Sequence, residues 1–410
     1  MAGATTKRPS LWRNANLVIL VGGQWVSQVG NNLFELAIYW YVLAATHHAA
    51  DLGWVGTAIA LPGVLGLFSG VFVDRMDRRW TMIASDVLRA ALSGLLGFLA
   101  LLHMLPLWLF LVLVLLLMAV GTFFNPAAGA LVPRLVPSED LPAANGLLAA
   151  AQSSAGLVGE VGGGVLMAAL GAVLLFFLNA VSFVVSVVSL VFLRTPRFVP
   201  PPQEPGRGAD RFFREWLEGL RIFRVFPLLR PLLFVALIVN FAGTGFFTLA
   251  AAWVKDLLHG GAFDYALFLA SAMLGVIAGS TAAGAVLRRF AIKRVLPVGI
   301  LVVGAAVVLL SQIPLLWVTL ACAVAYGLAV GVINTSLTTL MQRIVPQEKM
   351  GRVFGTVGAL FTISTPLGAA VAGALAAAWH VGLIYLLLGC LILLGSLPLL
   401  RSQPTLATAA

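Results

Sequence analysis

The stretch Gly70-Val-Phe-Val-Asp74-Arg75-Met76-Asp77-Arg78-Arg79 decides the fold of this chain. It places five charged side chains in a short gap between two long apolar segments. Charged residues make up only 10% of the 410 residues, so a cluster of this density requires an explanation. Such a cluster either anchors the topology of a membrane protein or belongs to a part of it that moves.

The composition is that of a membrane protein. The chain is 61% hydrophobic and its mean hydropathy is +1.03. Soluble domains carry about 25% charged residues, and a chain of this length cannot hide so much apolar surface from water. We therefore expect a polytopic protein surrounded mainly by the lipid bilayer. Cys322 and Cys390 lie within apolar runs and predict neither a disulfide nor a metal site.

The apolar runs predict twelve membrane spans, because a helix needs about 20 mostly apolar residues to cross the bilayer. The predicted fold class is an all-α membrane protein of twelve transmembrane helices. Two boundaries, at Gly171 and His380, rest mainly on length, because these residues interrupt the apolar runs only weakly. The predicted spans are 17–45, 52–73, 81–103, 107–130, 143–170, 172–193, 231–254, 264–287, 295–313, 315–340, 352–378 and 380–400.

The basic residues fall on one side of this topology. Lys and Arg mark the cytoplasmic face of a membrane protein, so both termini are predicted to be cytoplasmic. The net charge of +10 then indicates topology rather than a nucleic-acid partner, and Lys255 alone falls on the other face. The residues on the shared face are Lys7, Arg8, Arg13, Arg75, Arg78, Arg79, Arg134, Arg401 and those within 194–230, 288–294 and 343–352.

A long polar connection at 194–230 divides the chain into an amino-terminal half, 1–193, and a carboxyl-terminal half, 231–410. Beyond its prolines, Phe213, Trp216, Leu220 and Phe223 recur at helical spacing with charged residues between them. This pattern predicts an amphipathic helix on the cytoplasmic interface. The alternative is an ordinary charged linker.

The two halves repeat each other at a constant offset of 209 residues. Two parallel six-span repeats, related by an axis along the membrane normal, predict a transporter that moves its halves about a site near the bilayer midplane. The matched pairs are Asn31 with Asn240, Asn125 with Asn334, and Arg134-Leu-Val-Pro-Ser-Glu139 with Arg343-Ile-Val-Pro-Gln-Glu348.

With these features the chain resembles the major facilitator superfamily. The connection after span 2 matches the signature loop of that family, Gly-x-x-x-Asp-Arg-x-x-Arg-Arg. The form with Asp77 resembles the macrolide-efflux and enterobactin-exporter branch of the drug:proton antiporters. Three further stretches agree with that branch: Ala37-Ile-Tyr-Trp40, Asn125-Pro126 and Pro366-Leu-Gly368.

The resemblance implies that the loop is a cytoplasmic gate in the outward-facing state. Asp74 ends span 2 near the predicted start of span 11, and a helix amino terminus carries about half a positive charge. Asp86 and Arg89 are three residues apart on span 3 and share a face, so they extend the gate network. The alternative is that the loop only anchors the topology. The predicted gate residues are Gly70, Asp74, Arg75, Arg78, Arg79, Asp86 and Arg89.

A polar stripe runs along span 1. Gln24, Gln28, Asn31 and Glu35 are spaced i, i+4, i+7 and i+11, which keeps them on one helix face. Polar side chains within a membrane face a cavity or another helix. A carboxylate at this depth costs roughly 2.5–3.5 kcal/mol on insertion scales, so Glu35 is predicted to be a proton-coupling residue. The alternative is a permanently hydrogen-bonded structural carboxyl.

Glu160 is a second deep acid, within a glycine-rich run of span 5. The run resembles the span-5 motif of the antiporters, in which a proline stands where this chain has Glu160. We include Glu160 as a second proton-coupling candidate, against the alternative of burial beside a hydrogen-bond donor. The neighbouring glycines indicate close helix packing.

The cavity of this superfamily is lined by spans 1, 4, 7 and 10, which supplies candidates for substrate contact. Trp25, Trp40, Phe241, Phe246 and Phe247 are aromatic candidates for its wall, although plain helix packing is the alternative for each. The predicted substrate-binding residues are Gln24, Gln28, Asn31, Glu35, Asn125, Asn240, Phe241 and Asn334.

The predicted function is proton-coupled export of amphipathic drugs, such as macrolide-like compounds, by alternating access. The alternatives are a dedicated exporter of a siderophore or other secondary metabolite, a lysophospholipid translocase, and an importer. The chain is not expected to be an enzyme or to hold a cofactor, because no phosphate loop and no His-Glu-x-x-His run occurs. We expect a monomer in the bacterial cytoplasmic membrane, with protons and a small molecule as its partners.

Overall fold

A computed structural model describes residues 14–67, 69, 76–194, 229–397 and 399 of the chain. These residues form helices joined by short connections and contain no β-strand. The helices are α1 (Ala15–Thr46), α2 (Ala49–Gly66), α3 (Arg78–Leu101), α4 (Leu107–Arg134), α5 (Leu141–Leu170), α6 (Ala172–Phe192), α7 (Leu229–Thr248), α8 (Ala262–Arg289), α9 (Ile292–Gln312), α10 (Leu316–Ile344), α11 (Gln347–Ala376) and α12 (Val381–Gly395).

Each predicted span overlaps one of these helices, so the predicted all-α fold of twelve helices is confirmed. Ten of the described helices are long and apolar enough by themselves to cross a membrane. The other two are α1, which has 32 residues but carries the polar stripe, and α12, which has 15 residues. The predicted interfacial helix lies outside the described residues. Of the connection 194–230 that contains it, the structure describes only residue 194 and residues 229–230.

The two weak boundaries have local physical causes. Gly171 separates α5 from α6 and has a φ of 82°, a conformation that only glycine adopts without strain. His380 begins α12, because its Nδ1 atom accepts a hydrogen bond of 3.2 Å from the backbone N–H of Leu383. A histidine in this position therefore acts as an N-cap, a role usually taken by Ser, Thr, Asp or Asn.

One predicted span ends differently from expectation. The α7 helix stops at Thr248, and a short helix, Ala250–Ala252, follows it. The chain then forms a single π-helical turn, Trp253–Leu257. This turn lies on the side of the membrane away from most of the basic residues, between α7 and α8.

The ends of the helices define two faces, named here by the residues beside them. The basic face carries the helix ends near Arg78, Arg134, Arg194, Arg289 and Arg343. The far face carries the short connections at His47, His103, Gly171, His259, Pro314 and His380.

Two equivalent helix pairs join the halves. The α2 helix of the first half packs against α11 of the second, and α5 packs against α8. The sequence repeat relates α2 to α8 and α5 to α11, so the two contacts are related by the pseudo-symmetry of the fold.

Candidate functional site

The halves touch near the far face and separate toward the basic face. Gly53 of α2 and Gly373 of α11 approach so closely that a Cβ atom on either would collide with the backbone of the other. Nearer the basic face, a Cβ atom on Gly351, Gly355 or Gly358 of α11 would have no neighbour within 4 Å. The structure is therefore closed at the far face and open at the basic face.

A cavity of about 600 Å³ lies between the halves. It reaches the basic face, where Leu232, Leu337 and Leu399 line it. Its volume is within the range of sites that bind drug-sized molecules. Most of the wall is apolar and comes from α7, α8 and α10 of the second half.

Both deep acids line this cavity. Glu35 enters from α1 and Glu160 from α5, and the two carboxyl groups are close enough to interact electrostatically. The Oε2 atom of Glu160 is buried and has no hydrogen-bond partner among the described residues. None of the described residues that line the cavity is Lys or Arg. The cavity thus presents acidic groups from the first half only, with no cationic side chain to neutralise them.

Aromatic and hydroxyl side chains close the cavity toward the far face. Tyr39 of α1 and Thr248 of α7 both line the cavity there, one from each half. Trp40 stacks on Tyr265 of α8, with 5.8 Å between ring centroids. Trp40 therefore packs between the halves.

The two asparagines of the second half that were predicted to contact substrate both line the central cavity. Asn334 of α10 lines its wall. Asn240 of α7 also lines it, and its Oδ1 atom lies 2.6 Å from the Oγ atom of Ser364 and 3.4 Å from the Oγ1 atom of Thr365. Asn240 therefore connects α7 to α11 beside Pro366.

Four other predicted substrate residues lie elsewhere. They line a separate cavity of about 80 Å³ within the first half instead of the central cavity. The stripe passes from the small cavity near the basic face to the central cavity at Glu35, because eleven residues of helix rise about 16 Å along its axis. The four residues are Gln24, Gln28, Asn31 and Asn125.

Phe241 does not line the central cavity. Its backbone carbonyl is packed against Gly368 of α11, where a Cβ atom would collide with it. The neighbouring Phe247 does line the cavity, whereas Phe246 is fully buried and stacks on Tyr326 with ring centroids 5.4 Å apart. Among the aromatic candidates, Phe247 is therefore the one in the wall.

Asp86 and Arg89 form a buried network inside the first half rather than between the halves. Asp86 is completely buried, and its Oδ1 atom lies 3.5 Å from Nη1 of Arg89. Arg89 also donates from Nη2 to Oδ1 of Asn31 on α1, at 2.8 Å, and its guanidinium lies 4.1 Å from the ring centre of Phe183 on α6. In this state the pair connects α3 with α1 and α6.

The described part of the signature loop has structural contacts. Asp77 caps α3, because its Oδ1 atom accepts a hydrogen bond of 3.1 Å from the backbone N–H of Trp80. Arg79 donates to the backbone carbonyls of Leu190 and Val191 at the end of α6, at 2.8 and 2.6 Å. The Nε atom of Arg78 is buried and has no hydrogen-bond partner in the described part of the chain. The other predicted gate residues of the loop, Gly70, Asp74 and Arg75, lie outside the described residues.

Several cavity residues escaped prediction. Tyr39 lies one helical turn beyond Glu35, so extending the polar stripe by one turn finds it. Asn32 lines the central cavity while its neighbour Asn31 faces Arg89, and a single sequence does not distinguish the two. Within the described ranges no group of three or more His, Cys, Asp and Glu side chains is arranged to hold a metal ion.

Comparison with known proteins agrees with this architecture. The family model of the Major Facilitator Superfamily matches residues 20–364 and 233–408. Macrolide efflux protein A of Streptococcus pyogenes is 27% identical over 379 residues, which cover 90% of this chain and 92% of that protein. Multidrug efflux pump Tap of Mycolicibacterium fortuitum is 27% identical over 372 residues, covering 88% and 89%.

A solved structure shares the fold. The crystal structure of a bacterial homologue of the iron transporter ferroportin in an inward-facing state superimposes with a TM-score of 0.73 at 15% sequence identity. The superposition covers 96% of this chain and 100% of that chain. The twelve helices, the central cavity and the family match lead to one assignment: the chain belongs to the major facilitator superfamily and is a multi-pass membrane transporter, not an enzyme.

Proposed function

We propose that this transporter is a proton-coupled exporter of amphipathic, basic drugs, such as macrolide-like compounds, that works by alternating access. The observation that carries the proposal is the pair Glu35 and Glu160 in a largely apolar cavity without a cationic side chain. The apolar wall can contact the hydrophobic part of a drug. The two acids, which have no cationic side chain beside them in the cavity, can bind its basic group.

The coupling follows from the cost of an isolated charge in a low-dielectric site. Such a site favours a protonated carboxyl group unless a cation holds the carboxylate charged. A cationic substrate and protons therefore compete for Glu35 and Glu160. Substrate binding from one side releases protons there, and protonation from the other side releases the substrate.

The proposed direction of transport depends on which face of the protein is cytoplasmic. We assign the basic face to the cytoplasm, because Lys and Arg concentrate on cytoplasmic connections. Both termini are then cytoplasmic in a bacterial plasma membrane, and the open cavity faces the cytoplasm. This is the state in which an exporter loads its substrate, and we propose that one chain forms the transporting unit.

The gate on the basic face is proposed for the opposite state. Asp74 would meet the amino terminus of α11 when the halves close there, with Arg75, Arg78 and Arg79 beside nearby acids. Partial positive charge at a helix amino terminus stabilises a carboxylate. We propose that substrate binds in the part of the central cavity that is lined by Glu35, Glu160, Asn240 and Asn334.

An efflux panel tests the function. The chain is expressed in a host that lacks its own pumps, and dyes, macrolides and other antibiotics are measured with and without a proton uncoupler. Uncoupler-sensitive efflux of basic, amphipathic compounds is expected. Transport restricted to a siderophore or a lysophospholipid would favour the alternative cargo, and efflux that ignores the uncoupler would reject proton coupling.

A further inference from the structure

Lys255 has an unusual position for a basic residue. The far-face connections, 47–48, 102–106, 171, 249–261, 313–315 and 377–380, all lie within the described residues, and Lys255 is the single Lys or Arg among them. A basic residue on that face works against the charge distribution that sets topology. A specific contact is therefore expected to explain its presence.

That contact crosses from one half to the other. The Nζ atom of Lys255 donates a hydrogen bond of 3.2 Å to the backbone carbonyl of Leu43, in the last turn of α1. The same carbonyl accepts from the backbone N–H of His47, at 3.1 Å. Carbonyl groups at a helix carboxyl end carry partial negative charge, so an ammonium group is a favourable partner there.

The π-helical turn supports Lys255 from the second half. Trp253 is fully buried, and its indole Nε1 donates to Oγ1 of Thr319 on α10 at 3.2 Å. Single π-helical turns occur frequently at functional sites. Lys255 extends from this turn toward α1.

We propose that Lys255 is the positioning residue of a far-face gate, which holds α1 against the second half while the basic face is open. The inference rests on the alternating access of the proposed function but not on proton coupling. Its acceptor is a backbone carbonyl at a helix end, so separation of the halves leaves no carboxylate buried without a partner. Asp256, beside Lys255, interacts electrostatically with Lys255, with His259 and with His47 of α1.

The gate is tested by measuring the opening of the far face directly. Spin labels are attached at Leu102→Cys in the first half and Leu315→Cys in the second, in a chain with Cys322 and Cys390 replaced by alanine. Distances between the labels are measured in lipid nanodiscs without substrate. Since hydrogen bonds to charged groups are among the stronger ones in proteins, Lys255→Met is expected to raise the ratio of far-open to far-closed molecules about tenfold.

Two variants control this measurement. Lys255→Arg keeps a charged donor and is expected to retain the wild-type distance distribution. Lys293→Met removes a half-buried lysine at the basic face and is expected to leave the far face closed. If Lys255→Met does not purify as a monodisperse protein, Lys255→Gln replaces it. An unchanged distribution in the neutral variant, or an equal change in Lys255→Arg, overturns the proposal, and neither result depends on whether protons drive transport.

Discussion

Glu35 on α1 and Glu160 on α5 face one cavity from the same half of the transporter, close enough for their carboxyl groups to interact. No described lysine or arginine lines that cavity to separate or neutralise them. Two acids in one low-dielectric site do not ionise independently, because charge on one disfavours charge on the other. We therefore propose that the charge state of each carboxyl group influences protonation of the other.

Glu160 is predicted to set the pH dependence of transport. Glu160→Gln removes one charge of the pair, so protonation of Glu35 no longer depends on it, and the pH profile of efflux is expected to shift and become less steep. Efflux is measured from pH 5.5 to 8.5 in inverted vesicles. A profile identical to that of the wild type would give Glu160 a structural role only.

Glutamine is a better replacement at this position than the proline found in related motifs. The α5 helix is continuous from Leu141 to Leu170, so a proline at 160 would remove a helical hydrogen bond and cost about 3 kcal/mol. A failure of Glu160→Pro would therefore not separate lost chemistry from a distorted helix.

The glycine contact between the halves is predicted to be necessary for closing the far face. Gly373→Val places a branched side chain where Gly53 meets α11, so the far face should no longer close and transport should fall by at least tenfold. Gly355→Val on the same helix is the matched control for closure of the far face rather than for transport, because its Cβ atom has no neighbour within 4 Å in this state. Normal transport by Gly373→Val would show that the contact is dispensable.

The buried ion pair of the first half is predicted to stabilise the fold. Arg89→Met leaves the carboxyl group of Asp86 buried without its cation, and breaking such a pair typically costs about 3–5 kcal/mol. The thermal midpoint in detergent is expected to fall. The double variant Asp86→Asn/Arg89→Met should recover part of the loss, since no lone charge remains. Equal destabilisation of the single and double variants would contradict this account.

Asp74 and Asp77 are predicted to differ in function although they lie in one loop. Asp77→Ser should transport like the wild type, because serine also caps a helix by accepting a hydrogen bond from the backbone. Asp74→Asn should slow the transport cycle at least tenfold with unchanged substrate affinity, measured by initial efflux rates and equilibrium binding. A wild-type rate for Asp74→Asn would reduce the loop to a topology anchor.

The fold was predictable because several features of the sequence recur along the chain and indicate the same arrangement. Long apolar runs, basic residues at alternate connections and the 209-residue repeat each predict the same arrangement, and the helices of the structure match the predicted spans. The boundary predicted at Gly171 also agrees with the structure, because the connection there requires a positive φ, which is characteristic of glycine.

The site was predictable only in part, because helix spacing gives the face of a side chain but not its neighbour. The stripe of α1 was recognised, yet Asn31 bonds to Arg89 while Glu35 reaches the central cavity. The repeat likewise paired Asn31 with Asn240, but Asn240 contacts Ser364 and Thr365 instead of an arginine. Contacts between distant helices decide such differences, and one sequence does not contain them explicitly.

The central claim is that Glu35 exchanges protons for substrate, and proton movement in proteoliposomes tests it most directly. Wild-type and Glu35→Gln proteins are reconstituted with a pH-sensitive dye inside, and a transported basic drug is added. We predict that drug movement by the wild type is accompanied by opposite proton movement. Glu35→Gln, at equal reconstitution, is predicted to lose both the proton signal and the accumulation driven by a pH gradient. Drug-coupled proton movement of wild-type size in Glu35→Gln would contradict the account.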